Sequence, residues 1–368
     1  MRNTPSAANV MQDDNGRDKS PPWMPSPFSS LTTRRHTMTR SNRYFRFPFS
    51  LLVVPLVALL LLVTGCGSDD APPLTDATQQ ATSLLPASSD MVAMVDLVHA
   101  RDHSPAAQAV FENMLPDLEQ SPEARAHLDA MNIDLKEDVT RVYAGGALAA
   151  EPRKPLFLVY GSFDTEAIND HLRAEAGTDS LRSRMIEMNG RPAIAMNDQD
   201  RSFAAVVADE SLVVIGERAE VEAALARVDG DATGALSEST DKVALLREAA
   251  RGQSMWAALM SIPEDMRSNG SDRVQKITSV ARAGTASFTF ENDGSLDARM
   301  LVKAGDAETA SDLADVMRGL VGLSKRQVSE EPELQDVLQS VKVESRDTDV
   351  TVTGQVPASV IDKRFNPK

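Results

Sequence analysis

The sequence of 368 residues contains one cysteine and few aromatic residues. A lone cysteine, Cys66, excludes an intramolecular disulfide and a cysteine-rich zinc site. Aromatic residues make up 4% of the chain, and after Cys66 the only tryptophan and tyrosines are Trp256, Tyr143 and Tyr160. All three lie in strand-like patterns, so we interpret them as core or sheet-face residues rather than as a platform for bases or sugars.

Basic residues are outnumbered by acidic ones, 38 to 54. Eight of the basic and three of the acidic residues precede Cys66, so the rest of the chain carries 30 basic and 51 acidic side chains, a formal charge of −21. A surface this acidic repels phosphate backbones, and we therefore predict no nucleic-acid partner. It also offers no polybasic patch to hold the protein on an anionic bilayer.

Long apolar runs are missing as well. The longest run, residues 51–63, has 13 residues, whereas a helix needs about 20 to span a bilayer. The segment before it contains no acidic residue and three arginines, Arg40, Arg43 and Arg46. A basic segment followed by an apolar segment of this length is typical of a signal peptide.

The tetrapeptide Val63-Thr64-Gly65-Cys66 follows this apolar run directly. It resembles the lipobox of bacterial lipoproteins, although Val63 and Thr64 differ from the commonest residues at their positions. The resemblance implies that signal peptidase recognises Val63, Thr64 and Gly65 and cleaves before Cys66, whose thiol carries the lipid. The expected mature protein is anchored in a lipid bilayer on the extracytoplasmic side of the cell envelope, at the outer rather than the inner membrane.

Composition divides the chain into six segments. Met38 begins a signal peptide of ordinary length, and the polar sequence before it cannot bury a core. The segments are a disordered or mis-called extension (1–37), a lipoprotein signal peptide (38–65), a flexible tether (66–83), a first α+β unit (84–228), a linker (229–240) and a second α+β unit (241–368).

The two units repeat one order of elements: strand, helix, two strands, helix, hairpin. Residues 89–97 correspond to residues 253–261, and residues 156–172 correspond to residues 298–317. This predicts an α+β fold made of two related β-α-β-β-α-β (split-βαβ) units, with antiparallel sheets covered by helices. Residues 85–90 also loosely resemble the start of duplicated bacterial envelope proteins, a resemblance that implies no activity.

Two patterns contain residue types that bind metals. His99 and His103 are four residues apart, a spacing that places both on one face of a helix. Because Pro105 predicts a helix start near Ser104, we expect them in a loop. Asp229 and Asp231 resemble the start of a calcium loop, but position 12 of that loop is Thr240 instead of glutamate. Neither pattern supports a metal, and we predict that no cofactor is needed.

One pattern suggests a nucleophile. Ser239-Thr240-Asp241-Lys242 matches Ser-x-x-Lys, which in penicillin-interacting enzymes accompanies Ser-Asp-Asn and Lys-Thr-Gly motifs. Neither accompanying motif occurs in this chain, so Ser239 is better interpreted as a helix cap.

With no complete catalytic motif, we predict a non-catalytic protein with a binding or assembly role and an unknown envelope partner or ligand. One alternative is a carrier of an apolar ligand such as a lipid or acyl chain, enclosed by sheet and helices. A second alternative is an envelope hydrolase that depends on carboxylates, which requires two acids in one cleft. Methionines in the strands, such as Met94 and Met188, offer either a pliable surface or ordinary core packing.

Overall fold

A computed structural model of the chain describes residues 71–103, 122–147, 153–175, 183–198, 201–252, 254–262, 272–328 and 331–365. The predicted signal peptide and Cys66 lie outside these residues. Within them, strands and helices alternate along the chain and the strands pair antiparallel, which confirms the predicted α+β class.

Strands and helices are numbered here in chain order through the described residues. The strands are β1 Met91–Asp96, β2 Val139–Ala147, β3 Lys154–Gly161, β4 Ser183–Met188, β5 Arg191–Asp198, β6 Arg201–Asp209, β7 Leu212–Glu217, β8 Met255–Leu259, β9 Ala281–Phe290, β10 Leu296–Ala304, β11 Lys342–Arg346 and β12 Asp349–Val356. The helices are α1 Asp76–Leu84, α2 Leu97–His103, α3 Pro122–Ala130, α4 Thr165–Glu175, α5 Arg218–Val228, α6 Thr240–Ala249, α7 Asp272–Val280, α8 Ala307–Gln327, α9 Pro332–Ser340 and α10 Ala358–Phe365, with a 3-10 turn at Leu236–Glu238.

These twelve strands form one continuous sheet in the order β11-β12-β10-β9-β8-β1-β2-β3-β7-β6-β5-β4. Strands β1 and β8 meet at its centre. Outward from them, the order is β1-β2-β3-β7-β6 on one side and β8-β9-β10-β12-β11 on the other, and the first side carries the additional hairpin β5-β4. The two halves of the chain therefore share a strand order and join through a single ladder.

The register at the centre agrees with an internal duplication. The sequence correspondence aligns Ala93 with Ala257, and these two alanines face each other in the β1–β8 ladder. If the two halves are related by a two-fold axis through the β1–β8 ladder, the axis exchanges β1 with β8. Corresponding residues at the axis must then face each other, as Ala93 and Ala257 do. The connections differ from a split-βαβ plan, because all neighbouring strands are antiparallel and the chain crosses from β3 to the edge strand β4 and from β10 to the edge strand β11.

Helices cover both faces of the sheet. The α1 face carries α1, α5 and α6, whose apolar side chains pack with those of the central strands; buried members include Ala81, Leu84, Val92, Tyr143, Leu158, Val214, Leu225, Leu246 and Trp256. The α4 face carries α4, α8, α9 and α10; its buried members include Ile168, Leu172, Phe288, Leu313, Met317, Val337 and Ile361. Each such side chain contributes about 1.5–3 kcal/mol when removed from water.

Local signals place several element boundaries as the sequence predicts. In the β4–β5 hairpin, Asn189 and Gly190 have φ of 49° and 74°, as expected for an Asn-Gly turn of type I′. The carboxylate of Asp306 accepts a hydrogen bond from the Thr309 N–H at 2.8 Å and caps α8. No helix within the described ranges is long and apolar enough to cross a membrane.

The later part of the segment predicted as a tether, residues 66–83, is folded. Leu74 is buried, and α1 begins at Asp76 with its N-terminus capped by Thr75. The helix was missed because its buried side is formed largely by threonine and alanine rather than by large apolar residues. Thr78 is buried beside Tyr143, and their hydroxyls lie 3.2 Å apart, which satisfies both polar groups.

The segment predicted as the linker, residues 229–240, packs into the body. Ala235 and Leu236 are buried, and Ala235 forms a β-bridge with Pro86. The Leu236 N–H donates to the Leu85 carbonyl at 2.8 Å. The glycine- and serine-rich composition here supplies turns, including positive φ at Gly234, rather than a flexible spacer.

Candidate functional site

The predicted lipidation site precedes the described residues by only a few positions. Cys66 and the recognition residues Val63, Thr64 and Gly65 lie outside them, and the first buried side chain is that of Leu74. Leu74 lies eight positions after Cys66, so even a fully extended chain between them spans at most about 28 Å. A lipid on Cys66 would therefore hold the folded body next to the bilayer.

His99 and His103 lie on a helix and not in a loop. Helix α2 follows β1 directly because the Asp96 carboxylate accepts a hydrogen bond from the His99 N–H at 2.9 Å, as an N-cap residue does. The two imidazole rings stack, with centroids 4.1 Å apart and an angle of 8° between their planes. The predicted loop was wrong, because this cap starts a helix ahead of Pro105.

A polar cluster surrounds this turn at the junction of the two halves. It consists of Asp96, His99, His103, Arg141 and Ser254. Arg141 donates from Nε to the Asp96 carboxylate across the β1–β2 ladder at 2.5 Å. His99 Nδ1 lies 2.9 Å from Ser254 Oγ, and His103 Nδ1 donates to the His99 carbonyl at 2.9 Å. Of these five residues the sequence singled out only His99 and His103, and the structure adds the other three.

The contacts of Ser254 argue against nucleophilic catalysis in this polar cluster. Its side chain is fully buried, and its hydroxyl accepts a hydrogen bond from the Phe290 N–H at 2.8 Å. Its carbonyl accepts from the Asp96 N–H at 2.8 Å. A nucleophile must meet its substrate, and Ser254 is instead positioned to join β1, β9 and α2.

We expect Arg141→Met to destabilise the fold by about 1–3 kcal/mol. The substitution leaves the Asp96 carboxylate, 9% exposed, without its guanidinium partner. The effect is smaller than the 3–5 kcal/mol of a fully buried pair because the Arg141 side chain is 40% exposed. Denaturant unfolding measures it, and adding Asp96→Asn should restore part of the loss.

A surface pair provides the control for this experiment. Arg218 and Glu222 form an i,i+4 ion pair with 37% and 47% exposed side chains. Arg218→Met should change the free energy of unfolding by no more than about 0.5 kcal/mol. Equal effects of the two arginine substitutions would mean that the polar cluster contributes nothing specific to stability.

Asp229 and Asp231 bind protein groups and do not converge on a common point. Asp229 accepts two hydrogen bonds from the Arg191 guanidinium, at 2.8 and 3.1 Å, and these lower the pKa of the Asp229 carboxyl. Asp231 accepts from the Thr233 hydroxyl and N–H, which lower its pKa in turn. Among the residues that the structure describes, no three His, Cys, Asp or Glu side chains gather as a metal cluster.

Ser239 and Lys242 lie at the start of α6. Ser239 occupies the predicted N-cap position, but its side chain makes no capping hydrogen bond. The Lys242 ammonium donates to the carbonyls of Ala87 and Ser89, at 2.5 and 2.8 Å. Lys242 thereby fastens the loop before β1 to α6 and is not paired with Ser239 as its base.

The aromatic residues behave as the sequence predicts. Tyr143 stands edge-on to both Tyr160 and Trp256 on the α1 face, with centroids 5.6 and 6.3 Å apart. Burial raises the pKa of both tyrosine hydroxyls. Trp256 is 3% exposed and lies in the core cluster with Met94 and Met188, so these methionines also serve as ordinary packing.

One cleft lies beside α4, at the turns of β4–β5 and β6–β7. It measures about 640 Å³ and is lined by Thr165, Asn169, Gly190, Arg191, Pro192, Val207, Ala208, Asp209, Glu210 and Ser211. Polar and apolar groups contribute to it about equally, and it is open to solvent. It therefore differs from the enclosed apolar cavity that a lipid carrier requires.

Comparison of the chain with protein-family models and with curated proteins gives no match. Two solved structures that are similar to this chain are crystal forms of TP0453. Form I has 9% sequence identity and a TM-score of 0.43, and the alignment covers 81% of this chain and 99% of TP0453. Form IV has 9% identity and a TM-score of 0.39, with coverage of 78% and 99%. Likeness at these TM-scores supports no argument about function.

Proposed function

We propose that this protein is a lipid-anchored extracytoplasmic lipoprotein with a non-catalytic binding or assembly role. The observation that carries the proposal is the order of a basic segment, an apolar segment and Val63-Thr64-Gly65-Cys66, followed almost at once by a folded body. A signal peptide explains the first three features, and a lipid on Cys66 explains why so short a connection suffices.

The contacts inside the body support a non-catalytic role. The sequence offers Ser239 with Lys242 as a nucleophile and base, and the structure adds Ser254 with His99. Ser254 is buried among backbone groups, and Lys242 is held by two carbonyls. A catalytic group must be able to reach substrate, and each of these side chains serves the fold instead.

An exposed apolar face on α8 supports a binding role. Val316, Gly319, Leu320 and Leu323 follow the i, i+3, i+4, i+7 spacing of one helix face, here called the α8 stripe. Val316 and Leu323 are 40% and 47% exposed to solvent. The space beside Gly319 is also open, because a methyl group placed there would contact no atom within 4 Å. Apolar side chains grouped on a surface are typical of sites that contact a partner protein.

A topology reporter tests the location. Alkaline phosphatase fused after Lys368 needs disulfides, which form outside the cytoplasm, so the full-length fusion should be active. Deleting residues 38–65 should abolish that activity. An inactive full-length fusion at normal abundance would place the body in the cytoplasm and refute the proposal.

Site-specific photo-crosslinking tests the binding role. A photoreactive residue at Leu323 in the membrane-anchored full chain should give adducts with envelope protein several-fold above those from Ser311. Ser311 is exposed on another side of the same helix, so the comparison holds abundance and location constant. Equal yields at the two positions would contradict partner binding by the α8 stripe.

A further inference from the structure

Two histidines that are distant in sequence meet on the surface of the α4 face. His127 lies on α3 and His171 on α4, 44 residues further along the chain. His127 Nδ1 and His171 Nε2 are 3.0 Å apart, with ring centroids 5.2 Å apart and an angle of 60° between the planes. Both residues lie outside the polar cluster around Ser254.

The short nitrogen–nitrogen distance has a direct chemical meaning. A hydrogen bond between two imidazole nitrogens requires a proton on one and a lone pair on the other. The two nitrogens therefore point at each other. When each ring instead carries its proton on its other nitrogen, His127 Nδ1 and His171 Nε2 both present lone pairs, and rotation of the two rings can direct both lone pairs at one metal ion.

Ligand chemistry selects among metals. Imidazole nitrogens bind first-row divalent metals at about 2.0–2.1 Å, so one ion can contact two nitrogens that lie 3.0 Å apart. Imidazole suits Cu²⁺, Ni²⁺ and Zn²⁺, and among these ions Cu²⁺ binds a given nitrogen site most tightly. We propose that His127 and His171 form a surface site for a first-row divalent metal ion, with Cu²⁺ as its best occupant.

The surroundings suit an open site of this kind. Ile168 and Leu172, which flank His171 on α4, are 2% and 4% exposed and fix that helix on the sheet. No third His, Cys, Asp or Glu joins the pair among the described residues, which leaves coordination positions open to water or another ligand. The acidic surface of the body raises the local concentration of cations.

Metal binding at this site is not required for folding. The two rings hydrogen-bond to each other without a metal, and α4, which carries His171, is fixed on the sheet by the buried side chains of Ile168 and Leu172. Added Cu²⁺ should therefore raise the melting temperature of the mature protein, and a chelator should return it only to the metal-free value. The prediction that no cofactor is needed for folding is consistent with this site.

Isothermal titration of Cu²⁺ into metal-free, untagged mature protein tests the proposal. We expect one site that is lost on lowering the pH, because protons compete for the imidazoles. His127→Gln and His171→Gln should each weaken it by at least about tenfold, since even groups that only orient a metal ligand contribute 10–100-fold. Electron paramagnetic resonance should show coupling of Cu²⁺ to two nitrogens.

A double variant of the stacked pair is the matched control. His99→Gln with His103→Gln removes the other two histidines of the mature chain and should leave Cu²⁺ affinity within about twofold. Thermal melts establish that each variant folds, and the exposed His127→Gln is expected to do so. Absence of binding to the wild type, or binding that survives both His127→Gln and His171→Gln, would overturn the proposal.

Discussion

Cys66→Ala will abolish labelling of the protein by a radioactive or clickable fatty acid in growing bacteria. Cys66 is the only cysteine, so no other thiol can accept the diacylglyceryl group. Each acyl methylene contributes about 0.8 kcal/mol to membrane binding. The remaining body has a formal charge of −21 and no polybasic patch that would replace this contribution. We therefore expect the variant to be exported poorly or released from membranes.

Ser68→Ala is the matched control for this substitution. It lies two residues beyond Cys66 and leaves Val63, Thr64, Gly65 and the thiol unchanged. Its labelling and its resistance to high-salt washing should equal those of the wild type. An unlabelled wild-type protein, or label that persists in Cys66→Ala, would show that the tetrapeptide is not a lipobox.

Much of the local structure could be predicted because its signals are local. The Asn189-Gly190 turn, the Asp306 cap and the apolar period of α8 depend on residues within one or two turns of each other. Such signals are sufficient for the α+β class and for individual turns and caps. They also produced the correspondence between Ala93 and Ala257 that the central ladder reproduces.

The parts that escaped prediction depend on contacts between distant residues. Helix α1 has an ordinary polar composition, and Thr78 is buried only because the Tyr143 hydroxyl, 65 positions away, pairs with it. The start of α2 depends on Asp96, whose carboxylate is held by Arg141 on another strand. The His127–His171 pair has no sequence signal at all, because its spacing reflects only how α3 and α4 pack.

The continuity of the sheet also could not be read from the sequence. The predicted pair of units, residues 84–228 and 241–368, remains a prediction about evolution and boundaries. The β1–β8 ladder extends over five residue pairs, from Met91–Leu259 to Val95–Met255. Strands joined along their full length share hydrogen bonds and both core layers, and we therefore expect the halves to unfold together.

Trp256→Ala will destabilise the whole body by about 3–5 kcal/mol. Trp256 is 3% exposed in β8, opposite Met94 of β1 and edge-on to Tyr143 of β2. Truncation leaves a cavity across the ladder that joins the halves, so both should lose stability. Denaturant unfolding followed by far-UV circular dichroism should show one transition at a lower midpoint.

The wild-type protein provides a second readout of the same coupling. Trp256 is the only tryptophan after Cys66, so fluorescence of the mature protein reports on the centre of the sheet, while circular dichroism reports on all elements. Coincident midpoints indicate one cooperative unit.

Leu323→Ala, at a position 47% exposed, is the control and should change stability by about 0.5 kcal/mol or less. Two results would mean that the halves fold independently despite their common ladder. One is a fluorescence transition with a midpoint different from that of the circular dichroism. The other is a Trp256→Ala variant that loses only part of its ellipticity at the lower denaturant concentration.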